Sequence, residues 1–320
     1  MAHAHAGGSG RVVWAGIIGN LLVAAIKFVA AAFTHSSAML SEAVHSVVDT
    51  LNQVVMLYGL KRSSRPPDKE HPLGHGRELY FWSFVVAVLI FAIGAGVSVY
   101  EGIGHVMDPH PMDDPWVNYV VLAIAGGIEF GSWTVAMREF RRHKGDLGYY
   151  EAAEKTKDPS TLTLLLEDSA ALVGIVIALA GTAASQALDL PVLDGVASIL
   201  IGLLLATVAL FLARESKQLL IGEPARRSLV EAIRRCAEAQ AGVHRLNGML
   251  TIHLAPRQVV CALSLEFDDA LKVPDIEQAV EDLEERIRAS HPDVTLVFVK
   301  PQRAATYRAA VERRNHPPAG

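Results

Sequence analysis

The chain has only two cysteines, Cys236 and Cys261, in 320 residues. That excludes a disulfide framework and a cysteine-rich zinc module, and free thiols suit a reducing compartment. Basic charge is scarce too. The net charge is −5, and no basic stripe offers a nucleic-acid partner its usual footprint. Lys and Arg are missing altogether from Thr34 to Leu60, from Glu78 to Met137 and from Asp158 to Ala213. Met1 to Gly10 has no basic n-region and the first apolar run is already span-length, so a secretory signal is not expected.

What is abundant is apolar. Hydrophobic residues make up 51% of the chain and charged residues 20%. Mean hydropathy is +0.28, above the range of a soluble enzyme of this size. Charge is therefore segregated rather than absent. A helix needs roughly 20 apolar residues to cross a bilayer core. On that basis six spans are expected: Val12 to Phe33, Met39 to Leu60, Leu79 to Tyr100, Trp116 to Ala136, Leu162 to Ala184 and Val192 to Leu212. The loop after the second span carries Lys61, Arg62, Arg65, Lys69 and Arg77. The loop after the fourth carries Arg138, Arg141, Arg142, Lys144, Lys155 and Lys157. Loops after the first, third and fifth have neither residue, so both termini are expected in the cytoplasm.

After Arg214 the pattern changes. Pro224 to Ala241 reads as a helix. Gln258 to Phe267 alternates as a half-buried strand, with Val259, Cys261, Leu263, Leu265 and Phe267 on one face. Pro274 to Ser290 has a helical stripe of Ile276, Val280, Leu283 and Ile287. With strands near Met249 to Leu254 and Val294 to Val299, the order is αββαβ, a small ferredoxin-like α+β domain. The expected division is a flexible N-terminal tail (1–10), a six-helix transmembrane domain (11–215), a cytoplasmic α+β domain (220–302) and a flexible tail (303–320).

Ionisable groups inside spans are costly and mark functional candidates. The first span holds Asn20 and Lys27, the second Glu42, His45, Asp49, Asn52 and Gln53, the fourth Glu129, and the fifth Glu167 and Asp168. Asp194, at the start of the sixth, reads as an interfacial, solvated carboxylate. His45 and Asp49 are four apart and share a helix face. An imidazole and a carboxylate so placed are natural ligands of a divalent transition ion. The alternative is a helix-packing hydrogen bond between two buried polar groups. Asp168, if its span neighbours the second, adds a carboxylate at comparable depth, and two such carboxylates repel unless protonated or bridged by a cation. Lys27 and Glu129 read as structural ion partners or snorkelling groups. Asp68, His71 and His75 could hold a second ion; the alternative is a polar turn made by Pro72 and Gly74. His3 and His5 are too sparse for a metal tract.

The Ser41 to Asp49 run, the His71-Pro-Leu-Gly-His75-Gly loop and six spans together resemble the cation diffusion facilitators, a family of zinc/proton antiporters. The Leu166 to Gly174 run is similar to the branch containing zinc transporter 9. The resemblance covers about residues 11 to 302. It implies a tetrahedral transport site made by two residue pairs, one on the second span and one on the fifth, each four apart. The first pair falls on His45 and Asp49, and the second ends on Asp168. Its other member, residue 164, is Leu164. Either Glu167 replaces the missing ligand, which needs a bent helix start because adjacent residues point about 100° apart, or water completes the site.

The resemblance further implies alternating access in a homodimer, with zinc as the transported substrate and protons exchanged for it. Manganese, iron and cobalt stay open, since carboxylates also suit harder ions. No organic cofactor is expected. Nor is an enzyme, for the spans hold no nucleophile-and-base constellation. Positions where the family often has histidines in the cytoplasmic domain are Asn247 and Ser264, so no binuclear zinc site is expected there and the domain serves dimerisation. A non-transporting, metal-responsive membrane scaffold is the competing reading, kept open by Leu164. Alanine-rich composition and short loops point to a bacterial inner membrane.

Overall fold

Stretches without Lys or Arg fold as long helices, because in lipid every backbone donor must be satisfied within its own segment. A computed structural model of the chain describes residues 6–144, 148 and 159–315. His3, His5, Lys155, Lys157 and the last five residues of the expected C-terminal tail lie outside the described residues. Two compact units form: one from residues up to Arg65 together with Glu78–Lys217, the other from Pro66–Arg77 together with Gln218 onward.

The first unit is helical: α1 (Ala6–Thr34), α2 (Ser37–Ser63), α3 (Glu78–Met107), α4 (Pro115–Lys144), α5 (Pro159–Leu188) and α6 (Val192–Ile221), whose end from Gln218 belongs to the second unit. Among the described residues, all but α2 contain a stretch long and apolar enough to cross a membrane. The 27-residue α2 is long enough, but Glu42, His45, Asp49, Asn52 and Gln53 dilute its apolar content. Helix α1 begins at Ala6, inside the segment expected as a loose tail.

Helix α2 packs against α1, α3 and α5, and α4 packs against α1 and α5. Helices α3 and α6 approach backbone to backbone. A side chain on Gly102 would meet the Gly195 carbonyl and Ile199, and one on Gly195 would meet the Gly102 carbonyl and Val106. Small residues permit this approach, and van der Waals packing replaces the hydrophobic drive that lipid does not supply. Helix α3 is not the plain span expected. It widens into a π-helical stretch at Ile90–Ala95, where Gly94 lies and Gly96 follows, and such stretches loosen the helical ladder.

Asp194 corrects a second expectation. It is not solvated: it is 1% exposed. Its carboxylate accepts from Ser36 Oγ and from the backbone N–H groups of Ser37 and Ala38, at the start of α2. Those N–H groups have no intrahelical partner, so a carboxylate from α6 satisfies them and complements the helix dipole.

The second unit runs α7 (Arg227–Glu238), β1 (Val243–Ala255), β2 (Gln258–Phe267), α8 (Val273–Ser290), β3 (Val294–Pro301) and α9 (Ala304–Asn315). The sheet order is β1-β2-β3. The β1–β2 pair is antiparallel and β2–β3 is parallel, with α8 as the crossover that parallel strands require. Val259, Cys261, Leu263 and Leu265 of β2 join Leu283 and Ile287 of α8 in the core. Strand β2 is more than half-buried, however. It is central, and Ser264 on its other face is buried, donating to Gln302 Oε1.

The segment after Gln302, expected as a flexible tail, forms α9. Its Tyr307 occupies the space a side chain on Gly248 of β1 would fill. Alanine and arginine are strong helix formers, but α9 has no apolar stripe to announce it.

Burial pushes the Cys261 thiol up to about 12. Only the thiolate is nucleophilic, so Cys261 is expected to resist maleimide at about pH 8 in the native protein while Cys236 reacts. Peptide mapping reads this; equal labelling of both would contradict the packing of β2.

Candidate metal-binding sites

The α2 site starts from helix periodicity. His45 Nδ1 lies 3.4 Å from Asp49 Oδ1, one turn below. Neither ring nitrogen of His45 nor Asp49 Oδ1 has a hydrogen-bond partner, though all three atoms are buried. Buried polar atoms are seldom left so, and imidazole nitrogen with carboxylate oxygen is a donor set that suits zinc.

Helix α5 faces two ways. Glu167 Oε1 accepts from Asn52 Nδ2 of α2 at 2.7 Å, three residues beyond Asp49. Asp168 Oδ2 accepts instead from Ser132 Oγ of α4 at 2.8 Å. Both carboxylates are buried, whereas Leu164 is 36% exposed. Glu167 thus reaches α2 from a regular α5, while Asp168 turns to α4. Among the described residues, His45, Asp49 and Asp168 do not converge within the 4.8 Å that gathers the loop cluster described next.

Lys27 and Glu129 stand outside the expected ligand set. Lys27 Nζ donates to Glu42 Oε2 at 3.0 Å and to Ser46 Oγ at 2.9 Å, which is the structural ion pair expected of it. Asn52 shares the α2 face of Asp49 at a spacing of three, and that spacing is the signal that could have marked it as the partner of an α5 carboxylate.

The second cluster lies in the Pro66–Arg77 segment. Asp68, His71 and His75 offer ligand atoms all within 4.8 Å of one another. His75 Nε2 is 3.0 Å from Asp68 Oδ2, and His71 Nδ1 is 3.5 Å from Asp68 Oδ1. Asp68 Oδ1 also accepts from the backbone N–H groups of His71 and Glu70, at 2.6 and 2.9 Å. Gly74, at φ +84°, gives the turn that brings His75 back. Gly76 presses against Leu254, Ala255 and Gln258 of the β1–β2 hairpin, which fixes the segment's end.

The His71 N–H, then the His75 ring and the Glu70 N–H, hold the Asp68 carboxyl down at about 2. A depressed carboxyl contributes order that is complete above the ordinary value of about 4 and is lost as pH falls through the folded value. An NMR titration of metal-free protein is therefore expected to give Asp68 a midpoint of about 2. A midpoint of about 4 would mean the turn is not formed.

A helical membrane domain with a buried imidazole and buried carboxylates, joined to a small α+β unit, defines a membrane protein of the cation efflux class. The cation efflux transmembrane domain matches residues 13–221, so the chain belongs to that family, the cation diffusion facilitators. Proton-coupled zinc antiporter SLC30A9 of Mus musculus is 32% identical over 286 residues, 87% of this chain and 50% of that protein. Metal tolerance protein C4 of Arabidopsis thaliana is 33% identical over 216 residues, 67% of this chain and 47% of that protein. Manganese efflux system protein MneS of Bacillus subtilis is 24% identical over 302 residues, 92% of this chain and 96% of that protein. The chain spans about half the length of the mouse and plant relatives. The similarity to SLC30A9 agrees with the zinc transporter 9 branch.

Proposed function

We propose that this chain carries a divalent transition-metal cation, zinc first, across a membrane in exchange for protons. The observation that carries the reading is on α2: both ring nitrogens of buried His45 and the buried Oδ1 of Asp49 make no hydrogen bond, and α5 adds two buried carboxylates, Glu167 and Asp168. A cation offsets the cost of burying such groups in a bilayer. Metal and protons compete for the same lone pairs, so loading one expels the other. His45, Asp49 and Asp168 are the core ligands, with Glu167 standing in for residue 164. Zinc tolerates three protein ligands and an exchangeable fourth.

The mouse relative's name supports zinc and proton coupling. An oxygen-rich donor set and the Bacillus relative's name favour manganese as the second reading. Helix α2 counts as a span despite its polar residues, giving six, with both termini cytoplasmic by the distribution of Lys and Arg. The α+β unit pairs with that of a second copy. Asp68, His71 and His75, two imidazoles and a carboxylate already gathered, hold a bound metal. Composition favours a bacterial inner membrane, and the mouse relative is named mitochondrial.

The test is zinc and manganese flux in proteoliposomes with an imposed pH gradient. Flux above empty liposomes that falls when a protonophore collapses the gradient is the expected result. Flux indifferent to the gradient would remove antiport. Flux equal to empty liposomes for both metals would favour the scaffold reading.

A further inference from the structure

Lys27 is 0% exposed on α1, a costly place for an ammonium inside a bilayer. Its two acceptors, Glu42 Oε2 and Ser46 Oγ, both belong to α2. They bracket His45 in sequence, and Ser46 stands three residues before Asp49. The ammonium is therefore anchored within about one helical turn of both proposed ligands. Glu42 Oε1 is buried without a hydrogen-bond partner and faces Gly174 of α5, where any side chain would collide with it.

A lysine is a compact charge on a flexible four-carbon stem. Released from Glu42, it would find Asp49 as a nearby, largely buried carboxylate, and it would compete there with any divalent cation. We propose that Glu42 is a positioning residue that holds the Lys27 ammonium off the transport site, so that the chain's own cation does not compete with its cargo for Asp49. The inference rests on the transport reading above.

A purely structural ion pair behaves differently. Losing either partner of a buried pair leaves an uncompensated charge and destabilises, and neutralising both says nothing about metal affinity. The test is the zinc KM of the full chain in proteoliposomes, with folding checked by circular dichroism. Glu42→Gln is expected to raise KM about tenfold or more, and Glu42→Gln with Lys27→Met to bring it back within about threefold of wild type. If Glu42→Gln does not fold, Glu42→Asp, which draws the carboxylate back from Nζ, gives a smaller rise that Lys27→Met also reverses. Wild-type flux with KM unmoved by the Glu42 change, or a double variant no better than the single one, overturns the inference alone. Wild-type flux at the level of empty liposomes overturns the transport reading and the inference with it.

Discussion

Asp49→Ala and Asp168→Ala are each expected to lose about a hundredfold or more of zinc flux, while Leu164→Ala keeps flux within about twofold of wild type. Removing a group that merely orients a ligand costs about 10–100-fold in metal affinity or activity, so removing a ligand sits at or beyond the upper end. Glu167→Ala is expected within that 10–100-fold range, because Glu167 is shared with Asn52. Leu164 is the informative control. It is 36% exposed while Glu167 and Asp168 are buried, so under the proposed function neighbouring carboxylates stand in for the fifth-span pair four residues apart. A zinc-sensitive dye inside the vesicles reads all four variants in one assay. Damage from Leu164→Ala equal to that from Asp168→Ala would place the site on the other side of α5.

The sequence made one-dimensional features legible. Gaps between Lys and Arg located the long helices, and the spacing of His45 from Asp49 put both on one face, where the structure finds them 3.4 Å apart. Asp68, His71 and His75 were visible because a short turn with Pro72 and Gly74 can gather only nearby residues. What stayed hidden depends on which helices become neighbours. A helical period gives the angle between Glu167 and Asp168 but not that α2 receives one and α4 the other. Lys27 reads as an ion partner only in general terms, and Glu42 as its acceptor stays hidden, since their pairing crosses from α1 to α2. Helix α9 lacks an apolar stripe, so its sequence reads as a tail. Asp194 sits at a span end, where solvation is the usual fate, and only the packing of α6 against α2 carries it inside.

That last contact gives the second large effect. Asp194→Ala is expected to destabilise the membrane unit by about 2–4 kcal/mol, because hydrogen bonds to charged groups contribute about 1.5–3 kcal/mol each and leaving buried donors unmet adds to the loss. The variant strips the Ser37 and Ala38 N–H groups of their acceptor and leaves Ser36 Oγ without its carboxylate. Ser36 still caps the helix, since its Oγ accepts from Met39 N–H at 3.1 Å, so α2 loosens at its first turn rather than unravelling. The consequence reaches the site because α2 carries His45 and Asp49, and the depth of both is set from that first turn. Asp194→Asn keeps one acceptor oxygen and is expected to fall between wild type and Asp194→Ala in thermal unfolding. Zinc flux should follow the same order. Unfolding midpoints that match across all three proteins would show that the carboxylate does not anchor α2. Lost flux at unchanged stability would instead make Asp194 part of the cation's own route.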